Sequence, residues 1–319
     1  MSQKTSIEWT DASWSPIVGC TRKSEGCRNC WSERFLARFG GIAGHKFEGL
    51  SRFTSNGPRW SGEVRFAEAA LEDPIRWRAP RKIFVCSTSD LFHEKVPDEW
   101  IDRIFAVMAL CPQHEFQCLT KRPKRMRAYL SNPDTPGRVA KAADRLSVAK
   151  EIAIGRDFSV SGTQVRNIAR GDQWASPGEM PWPLPQIWVG VSIENQETAD
   201  ERIPLLLQTP AAVRWISYEP ALGEINIRSW LHPASDTNIS WLVCGGESGP
   251  RARPCDRRWI YNVMDQCKTA GIPIFIKQLG AKSHIDGTGN FLKIKDPKGG
   301  NMREWPADLR VRQWPEIST

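Results

Sequence analysis

The chain contains no run of 18 apolar residues, which excludes a membrane-spanning helix of ordinary length. Its first residues, MSQKTSIEWTDASW, lack the apolar core of a secretory signal, so a cytoplasmic protein is expected. An even cysteine count is also missing. Nine cysteines in a chain of 319 residues argue against a disulfide framework and for reduced thiols or metal ligands. There is no internal repeat and no low-complexity tract. The length fits two average domains or one large barrel, either able to bury a substantial core.

What is abundant is positive charge. The net charge is +8, and residues 121–173 hold twelve Lys and Arg against five Asp and Glu, a net +7. Charge concentrated in this way suits a polyanion such as nucleic acid, or it forms a solvated basic face. Fifteen tryptophans are available either for the core or for stacking on bases. Most are expected in the core.

From residue 82 onward, short apolar or β-branched runs end abruptly in polar residues. They are KIFVCSTSD (82–90), EFQCLTKRP (115–123), QIWVGVSIEN (186–195), VRWISYEP (213–220), SWLVCGGESG (240–249) and IPIFIKQLG (272–280). Such runs read as parallel strands buried on both faces. Helical spacing appears between them, with Trp100, Ile104 and Met108 on one stretch and Trp259, Val263 and Cys267 on another. The strand starts recur every ~26 to 33 residues, the length of one βα unit. The interval from 116 to 187 is about 40 residues too long for that spacing. The interval holds a basic insertion at about 124–185, and 281–319 reads as a C-terminal tail with a hairpin around KDPKGGN. The expected architecture is α/β, a (β/α) TIM-type barrel, full or partial, over residues 1–280. Its chemistry belongs at the carboxyl ends of the strands.

Three cysteines crowd the loop GCTRKSEGCRNCWSERF (19–35) as C-x6-C-x2-C, with no fourth nearby. Structural zinc would have to recruit His45, Cys86 or Cys118. Inert buried thiols would sit in an apolar run, whereas these have Thr, Arg, Lys, Ser, Glu and Asn as neighbours. Three thiolates on a four-iron cluster leave one iron open, which is what a catalytic metal site needs. Gly19 and Gly26 let the loop fold round a cluster and aim amides at its sulfurs. A following helix with Trp31, Phe35 and Phe39 on one face would anchor the loop.

Cysteines placed after a first short strand (SIEWT) and ahead of a βα barrel resemble the radical S-adenosylmethionine superfamily. The spacing x6 departs from its usual C-x3-C-x2-C. The segments IEWTDASWSPIVGC, STSDLFHEKVPDEWI, LTKRP, VGVSIENQ, SYEPALG, GGESGPRARP and FIKQLG more closely resemble a family of three-cysteine proteins often encoded by phages and mobile elements, with a further likeness to spore photoproduct lyase. The resemblance implies a [4Fe–4S] cluster on Cys20, Cys27 and Cys30, S-adenosyl-L-methionine as second cofactor, and an external electron donor. It implies hydrogen abstraction from a substrate over the barrel mouth by a 5′-deoxyadenosyl radical.

It also implies roles at the rim. Ser87, Thr88 and Asp90 stand where the superfamily holds the methionine amine, in place of its Gly-Gly-Glu. Lys121, or Arg122, would pair with the methionine carboxylate. Ser192, Glu194 and Asn195 would meet the ribose. Glu219 and Glu247 remain for substrate or acid–base chemistry, and each strand-end carboxylate has helix capping as its alternative. Cys244, like Cys86, is placed to donate a hydrogen atom or else to be an inert buried thiol. Lys277 and the basic trio Lys124, Arg125 and Arg127 would contact nucleic-acid phosphates, DNA before RNA. The expected function is therefore modification or repair of nucleic acid by a radical enzyme. Its rivals are a nucleic-acid-binding protein with structural zinc or a structural cluster, and a radical enzyme acting on a small molecule or peptide.

Overall fold

A computed structural model describes residues 5–154, 180–231, 238–284, 291–292 and 294–316. Seven strands form one parallel sheet: β1 (Ala12–Trp14), β2 (Lys82–Val85), β3 (Glu115–Thr120), β4 (Ile187–Ile193), β5 (Val213–Tyr218), β6 (Trp241–Gly245) and β7 (Ile274–Gln278). Each strand pairs with the next in chain order, so the sheet curls as a half-barrel with β1 and β7 as its two edges. The fold is mixed α/β, and the barrel is partial. β2 to β7 fall on the six apolar runs. The first strand does not fall on SIEWT: residues 6–10 form a bend and a turn at Glu8–Trp9, and the strand begins at Ala12. Three residues are too few for a periodicity signal, and pairing with β2 alone defines this strand.

Alternation along the strands divides the core in two. Outward residues such as Ile83, Val85, Phe116, Val189, Ile216 and Ile276 pack against a layer of helices. Helix α1 (Trp31–Ala37) follows the cysteine loop. α2 (Asp98–Ala109) opens with Asp98 and Glu99, charges suited to a helix N-terminus, and buries Ile101, Ile104, Phe105 and Met108. Each such side chain contributes roughly 1.5–3 kcal/mol when removed from water. α3 (Pro123–Leu130) leaves the end of β3, and α4 (Thr135–Ile154) packs on α2 through Val139, Ala140 and Ala143. Arg138 of α4 donates to Asp102 of α2 at 2.9 Å. α5 (Gln196–Leu207) and α6 (Arg257–Thr269) complete the layer.

Inward residues form a second core dominated by tryptophan: Trp9, Trp188, Trp215 and Trp241, with Phe275. Trp9 meets Phe84, Trp215 and Trp241 edge-on at 4.8, 5.3 and 6.2 Å, so it bridges both sides of the concave floor. Gly190 makes this floor possible, because a Cβ there would stand 2.6 Å from the Trp215 ring. The tail covers the β7 edge: the Ile276 amide donates to Val311, and the Gln313 amide to Ile274. Lys295 to Asn301 form a turn held by the Asp296 carboxylate, with no flanking strands among the described residues. An antiparallel bridge joins His284 to Phe291 instead.

No strand lies between 120 and 187 among the described residues, and residues 155–179 of the expected insertion lie outside them. No helix among the described residues is long and apolar enough to cross a membrane. All nine cysteines are free thiols.

Candidate active site

The carboxyl ends of the strands surround a cavity of about 280 Å³ above the tryptophan floor. Cys20, Cys27 and Cys30 all line it, and each sulfur has a donor nearby. The Lys23 amide donates to Cys27 Sγ at 3.4 Å, Arg122 Nη1 stands 4.0 Å from Cys20 Sγ, and the Ser32 and Glu33 amides point at Cys30. Burial, with repulsion from Asp90, pushes the Cys20 thiol well above its ordinary value, while Arg122 pulls the other way. Burial pushes Cys30 up to about 11. Both thiols are therefore protonated near neutrality.

Three thiols on one cavity wall are the type and number of donors the expected cluster would need. Among the described residues no three His, Cys, Asp or Glu side chains converge on a single ion position. A four-iron cluster places each thiolate on a separate iron, so three thiols holding one need not meet at a point.

The loop is held from three directions. Arg22 grips the buried Glu33 through two nitrogens, and Glu33 accepts the Trp60 amide at 2.8 Å. Ser24 Oγ donates to Glu194 at 2.9 Å, and Asn29 Nδ2 donates to Glu247 at 2.9 Å. Gly26 lies so close to Glu194 that a Cβ would stand 2.4 Å from its carboxylate oxygen. The expected anchoring face of α1 is partly different. Leu36 is buried and Phe35 and Phe39 pack beside it, but Trp31 is 54 % exposed at the cavity lip.

Beyond the cysteines, the cavity collects Ser87, Thr88, Asp90, Lys121, Ser192, Glu219, Glu247 and Lys277 from the expected set. Their situations differ. Thr88 Oγ1 is buried and has no hydrogen-bond partner among the described residues, an orphaned group on a cavity wall. The turn that carries it starts at Cys86, which lines the cavity with φ +57, a costly conformation for a residue bearing a side chain. Its amide donates to Trp14 and its carbonyl accepts from Ser89, which holds that turn.

Asp90 is already engaged. It accepts from Thr120 Oγ1 at 2.7 Å, from the Lys121 amide at 3.1 Å and from Arg122 Nη1 at 3.0 Å. Glu219 faces Lys277 across 3.3 Å and caps no helix. Glu247 accepts from Arg253 through the backbone and the guanidinium as well as from Asn29. Burial raises its proton affinity, but Arg253 and Asn29 outweigh this and hold the carboxyl below the usual range.

Other expected residues lie off the cavity. Glu194, 1 % exposed, is bound by Lys121, Arg202 and Ser24. Burial pushes its carboxyl up, and Lys121 and Arg202 bring it below the ordinary value. Asn195 caps α5, accepting from the Thr198 amide at 3.0 Å, while Thr198 Oγ1 accepts from the Asn195 amide. This is the helix-capping alternative, realised one residue beyond the carboxylate. Cys244 is buried in the outer core, and strand alternation turns it away from the concave side. On α3, Arg125 is bound to Asp98, and Lys124 and Arg127 are exposed.

A family model for "Protein of unknown function (DUF5131)" matches residues 4–306. The chain belongs to that family. No curated protein and no solved structure matches it. The matched span takes in every strand of the half-barrel and the cysteine loop.

Sequence reasoning missed Asn29, Glu33, Arg202 and Arg253, the residues that fix the loop and its carboxylates. Only Arg202 had a local signal, a cation two helical turns beyond Glu194. Neither histidine near the loop is placed as a ligand. His45 stacks on Phe39 at 4.9 Å. His93 accepts the Lys95 amide at Nδ1, so Nε2–H donates to Thr21 at 2.8 Å.

Proposed function

We propose that the protein is a radical S-adenosylmethionine-type enzyme, a partial (β/α) TIM-type barrel that holds one [4Fe–4S] cluster through Cys20, Cys27 and Cys30 and modifies or repairs nucleic acid. One observation carries this reading: all three cysteines line the same cavity as the polar carboxyl ends of the parallel strands. A reduced cluster with one open iron supplies one-electron chemistry toward a sulfonium cofactor.

The chain's own residues then have definite tasks. Thr88 Oγ1 offers the cofactor a hydrogen bond that no protein group takes. Asp90 acts through Arg122, and Glu194 through Lys121, so both are positioning residues. Glu219 and Lys277, paired with each other on the cavity wall, face the space a substrate would fill, and the tryptophan floor excludes water. The nucleic-acid part rests on the net charge of +8 and on the exposed cations Lys124 and Arg127 beside the rim.

Anaerobic reconstitution tests the reading. About four irons per chain are expected, with a brown absorbance that changes when S-adenosylmethionine is added. Cys27→Ala should lose the cluster, and Thr88→Val should weaken the spectral response at unchanged iron content. Stoichiometric zinc with no iron uptake overturns the proposal.

A further inference from the structure

A second cavity, of about 520 Å³, adjoins the first and shares Asn29 and Cys30 with it. No Asp or Glu among the described residues lines it. Five of its cations, Arg28, Arg34, Arg59, Arg251 and Lys282, make no ion pair among the described residues. Two further arginines in its wall are spoken for, Arg22 by Glu33 and Arg253 by Glu247. Arg28, Arg251 and Lys282 are exposed and Arg34 and Arg59 half-buried, so water screens part of their mutual repulsion and a bound anion would relieve the rest.

The walls are built rather than incidental. Asn29 Nδ2 ties the cysteine loop to the Arg251 carbonyl at 2.8 Å, and Arg253 Nη2 donates to the Glu25 carbonyl at 3.0 Å. Trp31 stands between Arg28 and Arg34 in sequence and is 54 % exposed at the lip of the first cavity. An exposed indole beside unpaired cations is the pattern that stacks an unpaired base while the cations take its phosphates.

We infer that this arginine-lined cavity is the phosphate-binding subsite for a single-stranded or extruded nucleotide, with Trp31 stacking a base at the lip of the adjoining three-cysteine cavity. The inference rests on the nucleic-acid reading above and moves its main phosphate contact from α3 to this cavity. A phosphate held here sets the neighbouring nucleoside over the three-cysteine cavity, because the two cavities share a wall. Chemistry on a base in a closed cavity requires that base to be outside the duplex stack.

The test measures binding of the full-length protein to a labelled single-stranded oligonucleotide, its duplex, a nucleoside triphosphate and polyglutamate, between about 50 and 200 mM salt. The combined variant Arg34→Gln, Arg251→Gln, Lys282→Gln should lower the log–log salt slope for the single strand by about 2. Neutralising Lys124 and Arg127, the exposed cations of α3, should lower that slope by less than the cavity variant does. Trp31→Ala should weaken single-strand binding about tenfold without altering the slope. If the triple variant does not fold, Lys282→Gln alone should lower the slope by about 0.7.

An unchanged slope in a native protein that does bind the strand overturns the inference and leaves the nucleic-acid reading standing. Failure of the native protein to bind any phosphate ligand overturns both. Polyglutamate binding as tightly as the strand, or the triphosphate binding through these residues when the strand does not, overturns the assignment to nucleic acid. Iron content, measured in parallel, reports on the cluster separately.

Discussion

Replacing Glu194 by Gln should destabilise the protein far more than a rim residue that only contacts a ligand. Glu194 is 1 % exposed, and Arg202, its partner at 3.1 Å, is equally buried. Lys121 lies against the same carboxylate. Removing the negative charge leaves two cations facing each other, one of them shut away from water. Breaking a buried pair on one side costs about 3–5 kcal/mol. Gln keeps the volume and an acceptor for Ser24 and Arg202, which places the expected loss near ~3 kcal/mol, a large share of the ~5–15 kcal/mol that holds a domain folded.

Urea unfolding followed by tryptophan fluorescence measures it. Asn195→Ala is the comparator, since it removes only the α5 cap and should cost about 1 kcal/mol. The pH dependence has a definite sign. The folded carboxyl titrates below its ordinary 4.5, so the native protein's advantage over Glu194→Gln is complete above about pH 4.5. It disappears as the pH falls through the lowered folded value. A loss no greater than that of Asn195→Ala, or an advantage independent of acid pH, refutes the argument that Glu194 is a buried anchor.

His114 and His93 should make the fold acid-sensitive, because burial lowers both below their ordinary 6.5. The unfolded chain takes up these protons first, so stability falls as the pH drops below about 6.5, until the lowered folded values are reached. Urea midpoints at about pH 7.5 and 5.5 check this, and equal midpoints refute it. Gly190→Ala should cost about 1–3 kcal/mol by driving a methyl into the Trp215 ring. It should also alter the near-ultraviolet circular dichroism of the tryptophan floor, and an unchanged melting temperature counts against close packing there.

The six apolar runs were legible in the sequence because burial on both faces of a parallel sheet writes itself into consecutive residues. The polar strand ends were legible for the same reason: each run stops where the strand meets the rim. α2 and α6 followed from helical spacing. The capping role of Asn195 had its signal three residues on, in Thr198. Strand parity also places Cys244 on the outer face, since it alternates with the inward Trp241 and Val243.

What the sequence could not decide was which polar groups satisfy one another. Asp90 is consumed by Arg122, 32 positions away, and Glu194 by Ser24 across 170 positions. The short strand β1 exists only through its pairing with β2. Charge density along the chain pointed to residues 121–173, where Arg122, Arg125 and Arg138 turn out to be neutralised by buried or neighbouring carboxylates. Five cations without an ion pair among the described residues, Arg28, Arg34, Arg59, Arg251 and Lys282, gather instead in the second cavity from four separate stretches. Periodicity and composition report interactions that are short-range along the chain. The cavities form where the half-barrel brings distant loops together, so their charge and their partners were decided only by tertiary structure.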